Sequence, residues 1–270
     1  MVTGACGKLG PVWADALLKA GARVACLDLD GVAAPPPLEE LLIHAPNDCK
    51  RHWADVTQKQ SLEEARARVE SEWGAIGILV NNAGIDQPPV ALPAARVPGV
   101  RPPPSLRTYR IEDAPLEDGW RVLEVNVLGL FLATQVFLPS LRRAGRAAIV
   151  NIGSLYGTVS PDERFYSHLS IDPPFLKPPM YGASKAAVSS LTRYLATHLG
   201  KEGIRVNTLV PGGVLGGQDE EFKRKFCERV PLKRMASHED LVGPFLFLAS
   251  DASGYVTGQD LIVDGGFTAW

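Results

Sequence analysis

Apolar, β-branched runs alternate with segments of helical spacing down the whole chain. Runs at Arg23 to Leu27, Ile76 to Val80, Ala147 to Ile152, Ile204 to Val210 and Leu261 to Val263 predict strands. Between them, Val12 to Ala20, Ser61 to Trp73, Trp120 to Arg143 and Ala183 to Leu199 carry the spacing of helices. This alternation predicts an α/β fold, a doubly wound parallel sheet with helices on both faces. No shift in composition marks a domain boundary and no internal repeat is visible, so residues 1–270 are expected to form a single domain.

Composition narrows the partners. The chain has 270 residues, 46% of them hydrophobic, and a formal charge of -2. Positive charge is not concentrated enough to follow a phosphate backbone, so no nucleic-acid partner is expected. Cys6, Cys26, Cys49 and Cys227 form no C-x-x-C pair and the histidines form no H-E-x-x-H pattern, so no metal site is predicted. Reduced thiols point to a cytoplasmic protein. No charged-then-apolar leader is present and no apolar run approaches the ~18 residues of a membrane span, so no membrane association is expected.

Candidate chemistry begins at the first helix, which opens with Thr3-Gly4-Ala5-Cys6-Gly7-Lys8-Leu9-Gly10. Glycines there allow a tight turn and bring the backbone close to a pyrophosphate at the positive end of a helix. Asp28 follows at the end of the next predicted strand, where a carboxylate accepts hydrogen bonds from the adenosine ribose and repels a 2′-phosphate. The predicted cofactor is therefore NAD rather than NADP.

A second signal is Tyr181-Gly182-Ala183-Ser184-Lys185, which sets a phenol and an ammonium one helical turn apart. Lowering a tyrosine pKa by about three units takes about 4 kcal/mol of phenolate stabilisation. One cation about 4 Å away at an effective dielectric of about 20 supplies roughly that amount. The pair predicts a tyrosine able to exchange a proton with a substrate oxygen.

With these motifs in order, the chain resembles the compact single-domain branch of the short-chain dehydrogenase/reductase family over essentially its whole length. The resemblance is carried further by Trp53-Ala54-Asp55-Val56, Asn81-Asn82-Ala83-Gly84, Asn126 within Glu124-Val125-Asn126-Val127, and Asn151-Ile152-Gly153-Ser154. Pro211-Gly212-Gly213-Val214 and Val263-Asp264-Gly265-Gly266 complete it. It implies a Rossmann-type sheet and a catalytic set of Asn126, Ser154, Tyr181 and Lys185. In that set Tyr181 is the acid/base, Lys185 lowers its pKa and holds the nicotinamide ribose, Ser154 orients the substrate oxygen, and Asn126 holds a water leading to solvent. It further implies cofactor contacts at Gly4, Gly7, Leu9, Gly10, Asp28, Asp55, Val56, Asn82, Ala83, Gly84, Tyr181, Lys185, Pro211, Gly212 and Val214.

Five features depart from the family pattern. Lys8 stands where this branch usually has glycine and is expected to point to solvent, the other reading being that it reaches a phosphate. Gly216 stands where a threonine often bonds the nicotinamide carboxamide, leaving that contact to the Val214 backbone. Only Met1 and Val2 precede Thr3, so the first strand is expected to be short or to begin upstream of this sequence. Two insertions, Gln87 to Thr108 and Pro161 to Pro179, flank the predicted reaction centre, the first rich in proline with Arg96, Arg101 and Arg107, the second adding Asp162, Glu163, Arg164, Tyr166 and His168.

The resemblance implies an NAD(H)-dependent oxidoreductase interconverting a secondary alcohol and a ketone, and the insertions suggest a polar pocket, hence a polar, sugar-like or sugar-acid substrate. Two other readings remain open, a nucleotide-sugar epimerase or dehydratase that retains its NAD and a non-catalytic NAD-binding scaffold. The resemblance also implies a homodimer or homotetramer through the helices at Trp120 to Arg143 and Ala183 to Leu199, with the apolar ending Phe267-Thr268-Ala269-Trp270 available to a partner subunit.

Overall fold

The computed structural model describes residues 1–86, 109–169 and 171–270. Its strands are β1 (Val2–Thr3), β2 (Val24–Asp28), β3 (Cys49–Trp53), β4 (Ile78–Asn81), β5 (Ala147–Ile152), β6 (Ile204–Pro211) and β7 (Asp260–Val263). They form one parallel sheet in the order β3-β2-β1-β4-β5-β6-β7. β2, β5 and β6 are buried almost end to end, because apolar residues on both pleats meet a helical layer on each side.

Two of the three cores lie on the two faces of the sheet. One gathers Leu27, Leu62, Leu79, Phe137, Ile149 and Leu195; the other gathers Trp13, Leu17, Cys26, Leu38, Val150 and Phe245. Each fully buried side chain of this size contributes about 1.5–3 kcal/mol. The helices that cover the faces are α1 (Gly10–Lys19), α2 (Pro36–His44), α3 (Lys59–Trp73), α4 (Leu116–Leu123), α5 (Leu130–Ala144), α6 (Pro179–Leu199), α7 (Glu220–Arg229) and α8 (Glu239–Ala249). Gly74 and Gly145, at φ 79° and 75°, stop α3 and α5 in a conformation that suits glycine.

β1 is indeed short. Its two residues are fully paired, Val2 with Cys26 and Val80 and Thr3 with Leu27, and the Met1 carbonyl accepts from Val80 N at 2.9 Å. The apolar pattern had not marked β3, whose sequence Cys-Lys-Arg-His-Trp is polar because it lies at the sheet edge.

The predicted helix over Trp120 to Arg143 is three pieces, α4 and α5 joined by a π-helical turn at Glu124–Gly129. The span Leu116–Ala144 is long and apolar enough, by length and composition, to cross a bilayer, which corrects the expectation that no such stretch exists. Half of its most apolar window is buried, packed against α3 and α6 as a core helix would be.

A third core joins the second insertion to the C-terminus. Phe165, Tyr166 and Phe175 pack with Phe222, Phe226 and Phe267, with ring centroids 4.8–6.2 Å apart. The segment after Ser160 is thus a packed wall rather than surface decoration. Phe267 is spent inside its own chain, so the expected apolar ending for a partner reduces to exposed Trp270. The first insertion, 87–108, lies outside the described residues.

Candidate active site

Chain order reverses between β1 and β4, and a crevice opens there at the carboxyl ends of the strands. It is a cleft of about 610 Å³ running from Asp28, past the glycine-rich loop, to Ser154, Tyr181 and Lys185. That volume lies within the ordinary range of cofactor sites.

At one end of the cleft, Asp28 accepts from Cys6 N at 2.7 Å and from Leu29 N at 2.8 Å. The carboxylate is fixed by two amides, and each oxygen keeps a lone pair for a hydroxyl. Asp55 uses one oxygen for the Thr57 amide and hydroxyl, at 2.8 and 2.7 Å. The loop itself needs its glycines. A Cβ on Gly10 would stand 2.2 Å from the Ala5 carbonyl oxygen, and one on Gly4, at φ 62°, would stand 2.6 Å from Ala83 Cα. Gly7 and Leu9 line the open side of the loop, with Val56, Ala83, Gly84, Pro211, Gly212 and Val214 around the same cleft. This donor set and its bare backbone fit a nicotinamide dinucleotide.

Asn82 holds the loop in place. Its Nδ2 donates to the carbonyls of Thr3 and Gly4 at 3.0 and 2.8 Å, and its Oδ1 accepts from Trp13 Nε1 at 2.8 Å. Beneath the Ser154 end of the cleft lies a buried ladder. Asn81 donates to Asn151 and Thr134 at 2.9 and 3.1 Å, Asn151 donates to Thr192 at 2.7 Å, and Thr208 donates to Thr192 at 2.8 Å. The ladder locks β4, β5 and β6 to α5 and to α6, the helix on which Tyr181 and Lys185 stand.

α6 begins at Pro179, earlier than its periodicity predicts, so Tyr181 sits in its first turn. Ser154 leaves β5 in extended conformation and starts a 3₁₀ turn, accepting from Tyr156 N at 3.2 Å. Gly157 and Gly182 let that turn lie directly on α6; a Cβ on the first would be 2.8 Å from the Lys185 carbonyl carbon and one on the second 2.8 Å from the Tyr156 oxygen. The predicted Ser154, Tyr181 and Lys185 are thereby brought together.

The electrostatics depart from the expectation. Burial, and then the Asp86 carboxylate, hold the Tyr181 phenol well above its usual pKa, and only the hydrogen bond with Ser154 pulls it down. Desolvation disfavours the phenolate more than the hydroxyl supports it. Lys185 Nζ stands 5.8 Å from the Tyr181 ring centroid and donates to the Ile152 carbonyl at 2.8 Å. Burial lowers its own pKa from 10.5 to about 8, against an opposing pull from Asp86. The tyrosine is therefore poised as a neutral acid in the free chain, its pKa raised rather than lowered as the spacing predicted.

Asn126 occupies the π-helical turn, a distortion often found at functional sites. Its Nδ2 donates to the Ile85 carbonyl and to Ser184 Oγ at 3.1 and 3.0 Å, and its Oδ1 accepts from Ile85 N at 2.8 Å. Both amide donors are committed to protein, so they are not the atoms that hold a water.

Lys8 is exposed, as expected, yet its ammonium is tied to the protein. Its Nζ donates to the Val214 carbonyl at 2.9 Å, and a Cβ on Gly216 would stand 2.6 Å from that Nζ. The two departures are one contact, in which the missing side chain at 216 makes room for the lysine. Because they share that space, Gly216→Thr and Lys8→Gly are expected to couple by about 0.5–1 kcal/mol in a double-mutant cycle read by NADH titration. The double variant should bind better than Gly216→Thr alone; additive effects would refute the shared contact.

Among the described residues of the second insertion, only Tyr166 and Lys177 line the cleft. Asp162 pairs instead with Arg164 and Arg229, and His168 lies 2.8 Å from Asp219. The sequence reading passed over Lys177 and Asp86, which meet across the reaction centre.

Residues 4–268 match the family model described as enoyl-(acyl carrier protein) reductase. The chain is similar to galactitol 2-dehydrogenase (L-tagatose-forming) of Cereibacter sphaeroides, 33% identical over 100% of this chain and 94% of that protein. It is similar in structure to a short-chain dehydrogenase from Leptospira borgpetersenii with bound NAD+, at 31% identity and TM-score 0.80 over 99% of this chain and 91% of that one. It is also similar to gluconate 5-dehydrogenase from Burkholderia cenocepacia in complex with NADP and tartrate, at 26% identity and TM-score 0.80 over 100% and 94% of the two chains.

Proposed function

The chain belongs to the short-chain dehydrogenase/reductase family, and on that footing we propose that it interconverts a secondary alcohol and a ketone on a sugar-like or sugar-acid substrate with NAD(H). The observation that carries this reading is the convergence of Ser154, Tyr181 and Lys185 on one cleft wall opposite the glycine-rich loop. The galactitol and gluconate dehydrogenases among its relatives support the substrate class.

Gly4, Gly7, Leu9 and Gly10 would hold the pyrophosphate, Asp28 and Asp55 the adenosine, and Lys185 and Val214 the nicotinamide half. NAD supplies the hydride acceptor, and NADH the donor. Tyr181 gives its phenolic proton to the substrate oxygen in the reductive direction and takes it back in the oxidative one. Ser154 holds that oxygen and stabilises the charge developing on it. Lys185 holds the nicotinamide ribose, its ammonium fixed by the bond to the Ile152 carbonyl.

NAD is favoured over NADP because Asp28 stands at the ribose end. Asp28→Asn keeps the shape and removes the charge; it is expected to weaken NADH binding about 10-fold and to strengthen NADPH binding by a similar factor, the scale of one charged hydrogen bond. Equal preference in the wild type would refute the assignment.

Leu116, Trp120 and Leu128, exposed on and between α4 and α5, support a homodimer or homotetramer. The free thiols Cys6, Cys26, Cys49 and Cys227 support a reducing cytoplasm. The test of function is NADH formation or consumption across a panel of polyols, ketoses and sugar acids, with Tyr181→Phe in parallel. Turnover that requires Tyr181 is expected. Product formation with no net NADH would indicate an epimerase or dehydratase, and cofactor binding without turnover a scaffold.

A further inference from the structure

A partly buried ion pair sits over the reacting tyrosine. Lys177 Nζ bonds Asp86 Oδ2 at 2.5 Å, and the lysine side chain is only 8% exposed. The same ammonium lies 5.4 Å from the Tyr181 ring centroid and 5.7 Å from that of Tyr156. Both residues line the cleft beside Ser154 and Tyr166. Removing two charges from water is expensive, and an apolar pair of similar volume often serves stability as well or better. A pair kept at this place has work to do on what enters.

Its chemistry is specific. A carboxylate accepts hydrogen bonds and an ammonium has three to give, of which Asp86 takes one. A substrate hydroxyl, which both donates and accepts, satisfies each partner without parting them. A substrate carboxylate can satisfy only Lys177, and it brings a second negative charge against Asp86 in a site of reduced dielectric. Tyr156 and Tyr166, which bond each other nearby, are held protonated by burial and add neutral hydroxyls rather than charge.

We propose that Asp86 and Lys177 together receive the hydroxyl beside the reacting carbon and so make the enzyme selective for neutral polyols and ketoses over sugar acids. This rests on the function proposed above and narrows it. The pair acts as a specificity device, since Tyr181 and Ser154 already serve the reacting oxygen.

The test is steady-state kinetics with NAD on galactitol, arabinitol and threitol against gluconate and galactonate, with calorimetric binding of the same compounds to the enzyme–NADH complex. In the wild type, kcat/KM for the best polyol should exceed that for either acid at least 10-fold. Lys177→Met should raise the polyol KM 10- to 100-fold while kcat falls less than 10-fold and the NADH Kd moves less than twofold. Asp86→Asn should narrow the gap between polyol and acid about 10-fold. If either single variant fails to fold, as judged by its melting curve, the near-isosteric double variant Asp86→Asn/Lys177→Gln should show the same weakened polyol binding by calorimetry. A wild-type preference for the acids, or unchanged polyol KM and binding in the variants, overturns the proposal. Polyol turnover indifferent to Tyr181→Phe would instead strike the underlying reading of function, with the calorimetric comparison still deciding the role of the pair.

Discussion

Tyr181→Phe is expected to lower kcat at least about 10³-fold in both directions while leaving the NADH Kd within about threefold of the wild type. Positioned proton transfer contributes about 10²–10⁴-fold, and Tyr181 is the phenol that faces Ser154 inside the cleft. Phenylalanine keeps the ring and its contacts with the two lysines, so folding should be untouched and the melting temperature should move little. The phenol also sets a pH signature. Burial and Asp86 hold it protonated through the neutral range, so ketone reduction has its acid ready without alkali. Alcohol oxidation needs the phenolate and should rise with pH. A variant with wild-type turnover would remove Tyr181 from the mechanism.

Lys185→Met should have the next largest effect, a fall in kcat/KM of at least about 10²-fold with weaker NADH binding. Its consequence for stability has the opposite sense. Burial takes the folded-state pKa from 10.5 to about 8, so between those values the unfolded chain binds more protons than the folded one, and stability rises with pH across that window. Below about pH 8 the buried ammonium weighs on the fold by about 3 kcal/mol. The bond to the Ile152 carbonyl offsets part of this, since an unpaired carbonyl there costs about 1–3 kcal/mol. Lys185→Met is therefore expected to be no less stable than the wild type at pH 7 and to lose the rise in stability between about pH 8 and 10. Denaturant unfolding at several pH values measures both. A variant several kcal/mol less stable at pH 7 would show that the lysine is a structural group first.

Much of this was legible in the sequence, because local chemistry carried it. Largely apolar runs such as Ala147–Ile152 are what a strand covered on both faces requires, and the glycines at 4 and 10 are demanded by backbone contacts only a few ångströms wide. Ser154, Tyr181 and Lys185 come together because the turn after β5 and the first turn of α6 are short-range features with recognisable residues. What stayed hidden depends on distance along the chain. Asp86 and Lys177 are 91 residues apart, and Lys8 and Val214 are 206 apart; no periodicity joins them. The sign of the Tyr181 shift was misread for a related reason. Spacing supplies a distance for Coulomb's law, but only the packed structure shows the desolvation that outweighs it. Cys49–Trp53 escaped notice because an edge strand needs no apolar pattern on both pleats.

The central claim is that this cleft moves a hydride between a nicotinamide and a carbinol carbon while Tyr181 handles the proton. It is tested most directly by incubating the enzyme with NADH deuterated at C4 on either face and a ketose, then weighing the polyol formed. One deuterium at the new carbinol carbon, from one of the two labelled cofactors only, and none with Tyr181→Phe, is the predicted result. Polyol without deuterium from either label, or no polyol from any ketose despite bound NADH, would contradict it.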